Sequence, residues 1–167
     1  MKEFSESKNI EKPDLSNEAS EVKRIKELRF PCQDLEGKKH PITDVPYERK
    51  IIDLPDGTKI EKVFPVFERS FEGDLPRNLY KETNEKQFEY MNKQLKEAIE
   101  ADPELRDTFT EKQLEQIRNG DKPEGYTWHH VENPPGRMEL VKTEEHMKSP
   151  HTGGAAIWGG RQREVQS

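Results

Sequence analysis

The sequence predicts an α+β fold, and three observations predict it. Residues 47–54 and 58–67 mix apolar and charged side chains on either side of Pro55-Asp56-Gly57, a turn signal that favours a β-hairpin. Phe88, Met91, Leu95 and Ile99 recur at three- and four-residue steps, which is one face of a helix. Residues 126–130 and 137–141 read as two strands about a turn at Asn133-Pro134-Pro135-Gly136, and a short helix follows them.

Taken in chain order, residues 1–29 carry 7 basic and 7 acidic side chains with few apolar ones. They read as a mobile arm, or at most a frayed helix over 18–28. Residues 30–79 form a leader containing the hairpin, with Pro46 just before its first strand and Pro65 marking an edge at the end of the second. Residues 80–120 hold two or three helices. Asp102-Pro103 is a start signal, because Asp caps the free N–H groups and proline needs none at the first helical position. Thr110 and Gln113 fit a capping box, and Asn119-Gly120 fits a helix C-terminus. A linker over 121–125 leads into the last segment, 121–167, in which Thr143 is expected to cap the short helix and Glu144 and Glu145 to lie in its first turn. Residues 30–160 are expected to form one compact unit.

Composition narrows the function classes. Apolar residues make up 29% of 167, against an ordinary ~45–50% with glycine counted, so part of the chain lies outside any core. The net charge of −6 argues against coating nucleic acid by bulk charge, which takes a surplus of Lys and Arg. Cys32 is the sole cysteine, so no intrachain disulfide forms, and it is expected to be a small packed or partly exposed thiol. No apolar run approaches the ~20 residues that span a bilayer, and residues 1–5 show no apolar signal core.

Four of the five histidines, His129, His130, His146 and His151, fall within 23 positions; the fifth is His40. Neighbours on a strand point to opposite sides, so His129 and His130 are not equivalent ligands of one ion unless the strand bends. His146 and His151 are five apart and share no face of an ideal helix. For both to hold one ion the helix must end between them, which Pro150 favours. Three histidines with an open position make a catalytic site, whereas four closed ligands make a structural one. A remaining histidine suits general-base work.

Thr127-Trp128-His129-His130, then Met138-Glu139-Leu140-Val141, His146, His151-Thr152-Gly153-Gly154 and Ala156-Ile157-Trp158-Gly159-Gly160 together resemble the HNH/endonuclease VII superfamily, in its Trp-His-His (WHH) branch. That branch is common as the C-terminal warhead of bacterial polymorphic toxins. The stretch 40–46 and the helices over 103–120 resemble the leader attached to it, so the resemblance spans roughly residues 30–160. It implies a ββα-metal (His-Me finger) motif with one divalent ion, Mg²⁺, Mn²⁺, Ni²⁺ or Zn²⁺, between hairpin and helix. His129, His146 and His151 would hold the ion, and His130 would be the general base. The ion would stabilise the phosphorane-like transition state and the leaving 3′ oxygen.

Two positions depart from the parent pattern. The middle Asn of HNH, which pins the loop carrying the base, has no clear counterpart, since Met138 and Glu139 occupy that stretch. Glu132 and Asn133 are the candidates to orient His130 instead. Val131 follows the histidine pair where a polar residue is expected. Trp128 reads as a packing anchor, and the glycines over 153–160 as tight turns. Arg137, Lys148, Arg161 and Arg163 are candidate phosphate contacts or solvated charges.

The resemblance implies a metal-dependent endonuclease hydrolysing phosphodiester bonds, DNA favoured, acting as an antibacterial toxin. Such a toxin would be delivered into the target-cell cytoplasm and blocked in its producer by a cognate immunity protein. An RNase of the tRNA type, a phage or housekeeping nuclease of the same fold, and a non-enzymatic zinc-stabilised module are the alternatives. No membrane partner is expected. The acidic excess sits in the leader (−2 over 30–79) and the helices (−3 over 80–120), whereas residues 146–167 carry +2. The composition therefore limits non-specific affinity for nucleic acid and leaves room for a compact cutting site.

Overall fold

The computed structural model describes residues 15–161. Residues 1–14 of the expected arm, and Arg163, lie outside the described residues. From residue 15 the structure differs from an arm: helix α1 (Leu15–Lys26) docks Val22 and Ile25 into the core. Arg24 fastens it, its guanidinium donating to the carbonyls of Ala156 (2.7 Å), Arg161 (2.9 Å) and Ile157 (3.0 Å). A charge-rich segment can dock in this way because two apolar residues and one forked donor suffice to anchor it.

The first hairpin pairs β1 (Tyr47–Asp53) with β2 (Lys59–Pro65), antiparallel, with Gly57 at φ 88° in the turn. Strand β3 (Arg69–Asp74) follows it. Its polar Arg-Ser-Phe-Glu-Gly-Asp run gives no alternation signal, and its place comes from long-range pairing. The helices are α2 (Asn84–Ala101), α3 (Pro103–Arg106) and α4 (Glu111–Arg118). Asp102 caps α3 ahead of Pro103, Thr110 and Gln113 close a reciprocal capping box, and Gly120 takes φ 88° just past α4.

Strands β4 (Tyr126–His130) and β5 (Arg137–Lys142) form the second hairpin, with β3 added on the far side of β5, so the sheet runs β3-β5-β4. That pairing weaves the leader and the C-terminal segment into one sheet. Helix α5 (Thr143–Lys148) leaves β5 directly. Thr143 is its first residue rather than its cap: Lys142 holds the N-cap position without a side-chain bond, and the Thr143 N–H is already donated to Gly125 O. Helix α6 (Gly154–Ile157) follows.

Both faces of the sheet are covered. On one, Trp128, Met138 and Leu140 pack with Met91, Leu95 and Ile99 of α2 and with Leu114 and Ile117 of α4. Trp128 is fully buried and donates its indole N–H to Asn92 Oδ1 at 2.8 Å, as a packing anchor would. The other face carries a smaller cluster of Val45, Phe67 and Val141. His129 belongs to this second face.

Candidate metal centre

Alternation along β4 separates the two adjacent histidines. His130 lies on the Trp128 face, where its ring neighbours Phe88 and Trp158. His129 lies on the opposite face, where β5 delivers the chain into α5 and brings His146 beside it. The helix ends at Lys148, and a bend at Ser149 followed by Pro150 turns the chain back so that His151 joins them. One ring nitrogen from each of His129, His146 and His151 lies within 4.8 Å of the others.

All three are buried, at 3%, 2% and 4% exposure, and each has one buried ring nitrogen without a hydrogen-bond partner: Nδ1 of His129, Nδ1 of His146 and Nε2 of His151. A hydrogen bond elsewhere on the ring explains one of these. His151 Nδ1 donates to Ser149 O at 2.7 Å, which leaves Nε2 as the lone pair. His129 Nε2 faces Glu132 Oε2 at 3.5 Å, an electrostatic contact rather than a hydrogen bond, since that oxygen too has no hydrogen-bond partner. A buried polar atom without a partner is costly, so three such ring nitrogens in one histidine cluster fit a cation. Burial, aided by the charges of His129 and His151, pushes the His146 imidazole down to about 2. Burial also lowers His129, against the pull of Glu132. Both rings are therefore neutral at pH 7, the form that coordinates metal. Phe67, between β2 and β3, closes the cluster, its ring centroid 5.0–5.4 Å from all three imidazoles.

The other sequence candidates lie as follows. Glu132 is fully buried and accepts from Lys50 Nζ at 3.1 Å through Oε1. Burial alone would raise its carboxyl, but His129 and Lys50 hold it at about 2. Asn133 donates to Ile51 O at 3.2 Å. Neither is hydrogen-bonded to His130, because the chain turns at Val131 and carries Glu132 back to His129. The residue hydrogen-bonded to His130 is Gln87 of α2, with Oε1 2.8 Å from Nε2. Burial, then the charge of Arg161, pushes His130 down to about 3. Val131, noted as an apolar departure, is buried, and its carbonyl accepts the Trp158 indole N–H at 2.7 Å. Gly154 is required beneath that contact, since a Cβ there would stand 2.3 Å from both the Val131 oxygen and Trp158 Nε1.

Among the basic candidates, Arg137 is engaged by Asp74 (2.8 Å) and Glu72 (3.3 Å). Lys148 pairs with Glu144 at 3.0 Å on the outer side of α5. Arg161 donates to Asn84 Oδ1 and to Glu82 O, holding the chain after α6 against α2. Cys32 is half-buried, its thiol 2.9 Å from Pro150 O.

Gln87, Lys50 and Phe67 were not legible as site residues. Gln87 did leave a signal: it occupies the first position of the buried stripe Gln87, Met91, Leu95, Ile99, and a polar residue there needs a partner.

The family model described as the DNase/tRNase domain of colicin-like bacteriocin matches residues 57–153, more than half of the chain and all three clustered histidines. No curated protein and no solved structure matches. Among the described residues, no helix is long and apolar enough to cross a membrane.

Proposed function

The chain belongs to the family of DNase/tRNase domains of colicin-like bacteriocins, and from that premise we propose that it is a divalent-metal-dependent endonuclease that cuts DNA as an antibacterial toxin. The observation that carries the metal half is the convergence of one ring nitrogen from each of three buried imidazoles within 4.8 Å, each ring holding a buried nitrogen without a hydrogen-bond partner. His129, His146 and His151 would hold the ion. When bound, a divalent ion supplies charge stabilisation of the transition state and the leaving oxygen.

The chain's own residues supply the rest. Ser149 O sets the tautomer of His151, and the Glu132 carboxylate faces Nε2 of His129 from behind. Phe67 keeps bulk water from the histidine side of the site, where low polarity strengthens each electrostatic contact. His130 is the proposed base, taking the proton of the attacking water, with its ring on the other side of β4. Lys148 and Arg161 are the proposed phosphate contacts, with Arg163 and, once released from Asp74 and Glu72, Arg137. A cognate immunity protein, and delivery into a target-cell cytoplasm, belong to the same reading, as does residues 30–160 acting as one unit.

Purified protein should nick or linearise plasmid with Mg²⁺, Mn²⁺, Ni²⁺ or Zn²⁺ and stop on addition of EDTA. Total RNA in a parallel tube decides the substrate, because cleavage of RNA with plasmid left intact would replace DNA with RNA. His130→Ala should lower the cleavage rate by about 10²- to 10⁴-fold, leaving a measurable residual rate, while zinc still binds; cleavage at the wild-type rate would remove His130 from the mechanism. The burial of all three clustered histidines favours one other reading, a purely structural zinc site. It predicts that chelation unfolds the domain and that no metal yields cleavage.

A further inference from the structure

We propose that Gln87 is the positioning residue for His130, holding the imidazole in the tautomer that carries hydrogen on Nε2 and the lone pair on Nδ1. This rests on the reading of His130 as the base.

Gln87 is fully buried in the first turns of α2. Its side-chain amide nitrogen donates to two carbonyls, Leu79 O and Tyr80 O, each at 2.8 Å. A primary amide has two N–H groups, so both are spent, and the orientation of the amide is fixed by the two acceptors. Its oxygen therefore faces His130 and can only accept. With that oxygen 2.8 Å from the ring, Nε2 must donate. A neutral imidazole that donates from one nitrogen accepts at the other, so Nδ1 is the one ring atom able to receive a proton.

The supports of Gln87 are themselves held. Tyr80 donates its hydroxyl to Pro135 O at 3.2 Å and packs on Trp158, which in turn neighbours His130. Arg161 brings a second donor to 3.5 Å from the same Gln87 oxygen while bonded to Asn84 and Glu82 O. In the parent HNH pattern an Asn within the hairpin does the pinning. Here that position is apolar or acidic, and the hydrogen bond comes from a helix some forty residues upstream, |i−j| being 43.

The test reads the tautomer directly. Long-range ¹H–¹⁵N spectra of zinc-loaded wild-type protein should show His130 with hydrogen on Nε2; hydrogen on Nδ1 overturns the proposal. Gln87→Met removes the acceptor at similar volume, and should mix the two tautomers of His130 and lower kcat by about 10- to 100-fold with KM and zinc affinity unchanged. Wild-type kcat in that variant overturns the proposal while leaving His130 as the base. In the double variant with His130→Ala, Gln87→Met should cause no further loss, because it acts through that ring; an additive loss assigns Gln87 a merely structural role and overturns the proposal. Cleavage by His130→Ala at the wild-type rate instead overturns the base reading, and the catalytic half of this proposal with it. Gln87→Met also leaves two carbonyls without donors, so the wild-type spectrum decides the matter if that variant fails to fold.

Discussion

Lys50 on β1 donates to Glu132 across 3.1 Å, and this pair joins the first hairpin to the histidine cluster. Glu132 has no exposed surface, and Lys50 is its one cationic hydrogen-bond partner among the described residues. Removing one partner of a buried pair leaves an uncompensated charge, worth ~3–5 kcal/mol when both are buried. Lys50 is 29% exposed, so water screens part of this. Lys50→Met is expected to cost roughly 2–3 kcal/mol in urea unfolding. Glu132→Gln weakens the carboxylate behind His129 and should lower zinc affinity about 10- to 100-fold, read by competition with a chelating dye. Unchanged affinity would show that Glu132 serves the fold and not the ion.

The buried imidazoles give stability a definite pH dependence. His146 at about 2 and His130 at about 3 are both held down first by burial, and the unfolded value is ~6.5. Between the folded and unfolded values the unfolded chain binds more protons, so stability rises with pH across that window. The contribution is complete above pH ~6.5 and is lost as pH falls below it, by about 1.4 kcal/mol per pH unit for each ring. The urea midpoint of EDTA-treated protein should therefore drop between pH ~7.5 and ~5.5, and His146→Asn should make the drop shallower. Equal midpoints at the two pH values would mean that these rings are not held neutral in the folded state.

How much of this was legible follows from the range of each signal. The Pro55-Asp56-Gly57 turn, the Asp102 cap and the Thr110 and Gln113 capping box are local chemistry, and the structure reproduces each one. Strand β3 is not local: Arg69 to Asp74 pairs with residues 141 to 137, and nothing in its own six residues announces a strand. The convergence of His129, His146 and His151 was readable because Pro150 stops α5 between the last two. Gln87, Lys50 and Phe67 come from α2, β1 and the β2–β3 connection. Their roles are set by packing that a linear motif does not encode. Adjacency in sequence points Glu132 and Asn133 toward His130, whereas the turn after Val131 directs one to His129 and the other to Ile51.

The docking of α1 leads to a last expectation. Arg24 places one guanidinium on three carbonyls of the segment 156–161, at 2.7, 2.9 and 3.0 Å, and Glu21 fixes the fork from behind at 2.8 Å. The end of α6 has free carbonyls, and a cation there answers both their hydrogen-bonding need and the helix dipole. Charge-assisted bonds are worth ~1.5–3 kcal/mol each, but one side chain makes all three and they do not add. Arg24→Met keeps the aliphatic stem and should cost about 2–4 kcal/mol, seen as a lower midpoint in urea. Because this segment also carries Trp158 and Arg161, which adjoin His130 and Gln87, cleavage should fall as well, while zinc binding by the histidines across β4 stays intact. An unchanged midpoint would show that α1 rests on the core through Val22 and Ile25 alone.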